Sequence, residues 1–154
     1  MSYTINPQKQ QDSITAFLEA TYPHVPIIPD GMLDTDDDTI LKFADQSIKP
    51  FVVLWFNQPK RSSRGRSFGS YKLDSRFGSV DVVVVARKGT EARELLNSIQ
   101  DSLVGFKTDD GGRLHESSSL WGSTRSIDIQ DRPTRFTATT RFDFGVSAVK
   151  VDTP

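Results

Sequence analysis

Residues 79–87 read Ser-Val-Asp-Val-Val-Val-Val-Ala-Arg and carry β-branched side chains on both faces, Val82 and Val84 on one, Val83 and Val85 on the other. That is the pattern of a strand covered on both sides. After Lys88 and Gly89 the period changes. Ala92, Leu95, Leu96, Ile99 and Leu103 recur at three and four, the stripe of an amphipathic helix. Thr90 is placed to cap that helix, Glu91 and Glu94 favour its N-terminal end, and Gly105 is placed to stop it.

The same reading places the other elements. Asn6-Pro7 is a helix start, with Asn as cap and Pro in the first turn. Ile14, Phe17 and Leu18 give this helix one apolar face, and it should end near Thr21 or Tyr22, before Pro23. Residues 24–28 are an extended connector. Lys49-Pro50 opens a second covered strand, Phe-Val-Val-Leu-Trp-Phe at 51–56. Residues 67–73 resume extended structure after a polar loop, and 74–78 turn the chain into 79. The simplest topology is a meander of 51–57, 67–73 and 79–87. Residues 126–130 are a short strand candidate. The cleanest alternation follows at 134–147. Phe136, Ala138, Thr140, Phe142, Phe144 and Val146 share one face, while Arg135, Thr137, Thr139, Arg141 and Asp143 share the other. This strand has one wet or interface face.

These elements predict an α/β (α+β) fold, a mixed and mainly antiparallel sheet of four or more strands with two main helices packed on it. No linker or internal repeat divides the chain, so 1–154 reads as a single domain with a flexible tail from about 149. Nineteen Lys and Arg balance twenty Asp and Glu, so nothing global marks a nucleic-acid binder. The absence of cysteine removes disulfides, thiol nucleophiles and Cys-ligated metal. No signal peptide is expected at the N-terminus, and the apolar run 82–86 is far too short to span a bilayer. Ten phenylalanines are a high count for this length; several must be core, and a surplus would suit subunit contacts.

Two charge clusters stand out. Asp30, Asp34, Asp36, Asp37 and Asp38 crowd one segment. A calcium loop would need a central Gly and a terminal Glu, and both are missing, so a solvated acidic loop or interaction patch is the reading. Lys60, Arg61, Arg64 and Arg66, with Ser62, Ser63 and Ser67, form a compact basic loop at the expected tip of the first hairpin, which fits phosphate contacts, an acidic protein surface or a plain solvated tip equally. It lacks interleaved aromatics for base stacking. No catalytic, cofactor-binding or metal-ligating constellation is assigned. His24 and His115 have no second His at ligand spacing, and His115 and Ser117 point opposite ways if extended. Asp109-Asp110-Gly111-Gly112 reads as a surface turn rather than an acidic catalytic one.

The order of elements resembles the tail terminator proteins of long-tailed bacteriophages. The residues that carry the resemblance are 14–18 in the first helix, 51–56, 78–87, 92–105, the run Phe106-Lys-Thr-Asp-Asp-Gly-Gly and the final strand 134–147, nearly the whole chain. The resemblance implies a non-enzymatic homohexameric ring without cofactors at the head-proximal end of the tail tube. Such a ring ends tube polymerisation, meets the tail tube protein and head-completion or connector proteins, and passes DNA through its lumen without reading its sequence. The implied location is the neck region of the virion tail, and the host cytoplasm during assembly, with no membrane contact. The interaction residues expected are Lys60, Arg61, Arg64, Arg66, Asp34, Asp36, Asp37 and Asp38. The alternatives are another neck or head–tail connector protein, or a small nucleic-acid-binding protein using 60–66.

Overall fold

The computed structural model describes residues 2–4, 7–30, 42–61, 76–109, 111–117, 123–126, 135–146 and 149–151. In chain order these give β1 (Ser2–Thr4), α1 (Gln8–Thr21), β2 (Ile27–Pro29), β3 (Phe51–Arg61), β4 (Arg76–Ala86), α2 (Gly89–Leu103), β5 (His115–Glu116), β6 (Ser123–Ser126), β7 (Phe136–Val146) and β8 (Val149–Val151). The main sheet runs β2-β3-β4-β7-β5, with β6 also on β7. β2 joins β3 in parallel, and every other pairing is antiparallel. The fold is therefore the mixed, mainly antiparallel sheet with two helices that the periodicity predicts.

Both helices cover one face of this sheet. Even-numbered positions of the long strands point to them: Val52 and Leu54 on β3, Val80, Val82 and Val84 on β4, Ala138, Phe142, Phe144 and Val146 on β7. Ile14 and Leu18 of α1 and Ala92, Leu96, Ile99 and Leu103 of α2 complete that core. The rings of Phe17 and Phe106 stack at 4.3 Å, and the Tyr22 hydroxyl meets Ser98 Oγ at 2.6 Å, tying α1 to α2. A smaller core lies on the opposite face, where Ile48 covers Phe51, Val53 and Val85. The valine run of β4 is thus covered on both sides at one end, as its composition requires.

Several expectations are corrected. β3 pairs directly with β4, Phe51 opposite Val85 through Asn57 opposite Ser79. No strand lies between them, and the expected strand at 67–73 falls outside the described residues. β4 begins at Arg76, so 76–78 are strand rather than turn. The cap of α2 is Lys88, in extended conformation, and Thr90 sits inside the first turn. α1 is preceded by Pro7 as its cap residue, while Asn6 lies outside the described residues. Of the expected strand at 126–130, only Ser126 is described, as the end of β6. Gly105 does end the second helix region in the left-handed conformation, φ +79°. The tail acquires a partner that no local pattern announces. Val149, Lys150 and Val151 pair with Thr4, Tyr3 and Ser2.

Candidate interaction surface

The face of the sheet away from the helices divides in two. At one end, residues 42–50 cover Phe51, Val53 and Val85. Beyond that cover the odd-numbered positions stay partly open: Trp55 and Asn57 on β3, Ser79 and Asp81 on β4, and Thr137, Thr139, Arg141 and Asp143 on β7. Trp55, Asp81 and Arg141 form one row, each directly opposite the next across the ladders. Arg141 grips Asp81 with two nitrogens, Nε on Oδ1 and Nη2 on Oδ2 at 3.1 Å. That hydrogen-bonded carboxylate pushes the Arg141 guanidinium further up from its ordinary range. Trp55 is 38% exposed, and among the described residues only it and Val104 are large apolar side chains left open to solvent. An open aromatic beside an ordered arginine is the residue chemistry that dominates protein–protein contacts. Asp81 and Arg141 are half-buried and held by their ion pair, with the exposed Trp55 at the end of the row.

Asp34, Asp36, Asp37 and Asp38 lie outside the described residues, as do Arg64 and Arg66. Lys60 and Arg61 form the far end of β3, paired with Phe77 and Arg76. The basic stretch therefore begins on the sheet rather than at a loop tip. Asp30 is described, and its role is structural. Its N–H donates to the Leu54 carbonyl at 2.7 Å and its carboxylate accepts from the Phe56 N–H at 3.2 Å. It holds φ +50° there, a conformation Asp tolerates better than most residues. The acidic segment thus leaves the sheet near Leu54, and the basic one near Arg61, roughly 20 Å further along at the usual strand rise. Trp55, Asp81 and Arg141 were not singled out as a surface by sequence. The available signal was Asp81, a lone carboxylate inside a valine run.

The remaining candidates do not assemble a reactive centre among the described residues. His115 is exposed on β5 opposite Asp143, and the Ser117 N–H donates to the Arg141 carbonyl at 2.9 Å. No group of three His, Asp or Glu side chains among the described residues could hold a metal ion. The turn after α2 is no free surface turn. Thr108 is buried, its hydroxyl donates to the Gly112 carbonyl at 2.9 Å, and the Gly112 N–H donates to the Gly145 carbonyl at 3.0 Å. The Asp109 N–H donates to Ser13 Oγ of α1 at 3.1 Å. No helix of the described residues is long and apolar enough to cross a membrane.

Comparison with known proteins returns no matching family model and no matching curated protein. Among solved structures, the fold is similar to a chain of the virion of a native gene transfer agent (GTA) particle. The TM-score is 0.60 at 15% sequence identity, over 95% of this chain and 99% of that one. A second solved chain aligns over 94% of both chains at 12% identity with a TM-score of 0.47, too distant a match to argue from.

Proposed function

We propose that this chain is a structural virion protein that acts without catalysis. Its specific task is to form a homohexameric ring at the head-proximal end of a bacteriophage tail tube. The ring ends tube polymerisation and joins the tail to head-completion or connector proteins. The observation that carries this reading is the likeness of fold, over nearly the full length of both chains, to a chain of a gene transfer agent virion. The element order that resembles tail terminators points the same way. In this reading residues 1–154 act as one domain, in the host cytoplasm during assembly and in the neck of the finished particle. DNA crosses the lumen without base-specific contact.

The physical means of assembly are of two kinds. The open row of Trp55, Asp81 and Arg141 offers a contact surface with an exposed aromatic and a paired arginine. The acidic residues Asp34, Asp36, Asp37 and Asp38 and the basic residues Lys60, Arg61, Arg64 and Arg66 differ in sign and leave the sheet at different places. Opposite surfaces on one chain suit head-to-tail contacts that close into a ring.

The test is tail assembly in the absence of the protein, with electron microscopy and mass measurement of the protein bound to purified tubes. The expected result is tubes of uncontrolled length that fail to join heads, and six copies at the tube end. Normal tube length with failed joining would instead favour a connector. Normal length and normal joining would refute both.

A further inference from the structure

We infer that residues 42–48 form a strap that opens as one unit from the outer face of the sheet, with Arg87 as its latch. Opening would uncover a continuous apolar strip on β3 and β4.

The first ground is the pattern of backbone hydrogen bonds. The Phe43 N–H donates to the Ser47 carbonyl at 2.8 Å, and the Gln46 N–H donates to the Phe43 carbonyl at 3.0 Å. The Ser47 N–H donates to the Asp45 carboxylate at 2.9 Å. Lys42 and Ile48 form an isolated antiparallel bridge. The tight turn this requires puts Gln46 at φ +70°. All of these bonds lie inside the strap. Among the described residues no backbone hydrogen bond joins 42–49 to either sheet. Pro50, at the point where the strap meets β3, has no N–H to give. The strap can therefore leave without breaking a single ladder bond, the condition for a separate unit of local opening.

The second ground is what holds it closed. One side chain, Ile48, is fully buried against Phe51, Val53 and Val85. The other attachment is Arg87, at the end of β4. Its guanidinium lies over the Phe43 ring at 4.2 Å, donates to Ser47 Oγ at 3.2 Å and stands 4.0 Å from the Asp45 carboxylate. Glu91, one helical turn on, holds the same guanidinium at 3.1 Å. Lys49 reaches the Phe43 ring as well, at 5.6 Å, but belongs to the strap's own end of the chain. Arg87 is thus the chief polar link between strap and body. It is anchored from the body side by Glu91, which keeps it in place when the strap moves.

The third ground is what lies beneath. Phe51 and Val53 continue along β3 into the exposed Trp55, and Val85 continues along β4 into the partly open Val83. With the strap away, these side chains make one strip on the outer face, which turns a small exposed aromatic into an extended apolar surface.

Amide hydrogen exchange on the full chain tests this. The amides of Phe43, Gln46 and Ser47 should exchange together, at a common rate far above that of Val80, Val82 and Val84 in the β3–β4–β7 ladders. Arg87→Ala should raise the strap rates about tenfold, from loss of a cation–π contact and a hydrogen bond, and leave the ladder amides unchanged. Binding of a hydrophobic dye should rise in parallel. Phe43→Leu keeps the apolar bulk and removes only the cation–π contact, so it should give a smaller rise in the same amides. The inference fails if the strap amides exchange in step with the ladder. It also fails if Arg87→Ala leaves them unchanged or accelerates strap and ladder alike.

Discussion

Phe144 lies directly opposite Gly78 across the β4–β7 ladder, and its ring fills the space that a side chain at 78 would need. A Cβ at 78 would stand 2.7 Å from Phe144 Cζ and 2.8 Å from Cε2. The glycine weakens β4 locally, since it adds backbone entropy and no packing of its own. The ring returns the lost contact from the neighbouring strand. Gly78→Ala should therefore destabilise the protein by about 1–3 kcal/mol, as overpacking does. Adding Phe144→Leu should recover part of that loss, a coupling that a double-mutant cycle of thermal or urea unfolding would reveal. Additive effects would show that the two residues do not share the space.

Gly111 makes a comparable demand at the turn after α2. A Cβ there would meet Thr108 Oγ1 at 2.3 Å and Gln10 Cγ at 2.7 Å, both belonging to buried residues. The turn is wedged between α1 and β7, so neither neighbour can retreat into solvent. Gly111→Ala should cost about 1–3 kcal/mol, while Asp109→Ala, at an exposed position, should stay within about 0.5 kcal/mol. Urea unfolding of both variants checks the contrast.

The fold was legible where periodicity alone sets the element. Leu96, Ile99 and Leu103 announce α2, and the alternation from Phe136 to Val146 announces β7 with its buried face. Pairing between distant strands was not legible. Nothing local says that Phe51 meets Val85, so the order of apolar runs suggested an intervening strand that the register excludes. Glycine usually marks a turn, whereas Gly78 marks a close approach between strands. The strap carries no periodic signal because its one buried residue, Ile48, stands between polar neighbours. The row of Trp55, Asp81 and Arg141 is a cross-strand object, created by register and invisible in any single stretch.

Val84 is one of the fully buried positions of β4. It pairs with Val52 on one side and Ala138 on the other, and both helices close the core around it. A carboxylate there would have neither water nor a partner. Val84→Asp should leave the protein unfolded or insoluble, seen as loss of the cooperative thermal transition. A soluble variant that melts normally would contradict the placement of this strand.

Asp45 gives the strap a pH response of defined sign. The Ser47 side chain, then the Ser47 backbone N–H, and more weakly the Arg87 charge hold its carboxyl below the ordinary value of 3.8. A group depressed in the folded state contributes while pH stays above the unfolded value. That contribution disappears as pH falls through the folded one. Lys42, Lys49, Arg87 and Glu91 are the other charged residues on the strap and its anchor. Strap exchange, corrected for its intrinsic pH dependence, should therefore be flat above about pH 5 and rise only in stronger acid. Ser47→Ala should move the Asp45 titration, followed by NMR, back toward 3.8. An unmoved titration would remove Ser47 as the cause.

The basic stretch separates assembly from folding. Lys60 and Arg61 end β3, and Arg64 and Arg66 follow in sequence. In the proposed role this stretch meets an acidic surface of a neighbouring copy or lines a channel through which DNA passes. Either contact depends on charge density and not on base stacking, for no aromatic is interleaved between 60 and 66. Replacing Arg61, Arg64 and Arg66 together with Ala should leave the thermal transition within about 0.5 kcal/mol of the parent. It should nonetheless reduce ring formation on tail tubes, and the parent's own assembly should weaken as salt rises. Binding of the parent to duplex DNA of different sequences should differ little. A strong preference for one sequence would replace the assembly role of this stretch with nucleic-acid recognition, and unimpaired assembly of the triple variant would remove it from the contact altogether.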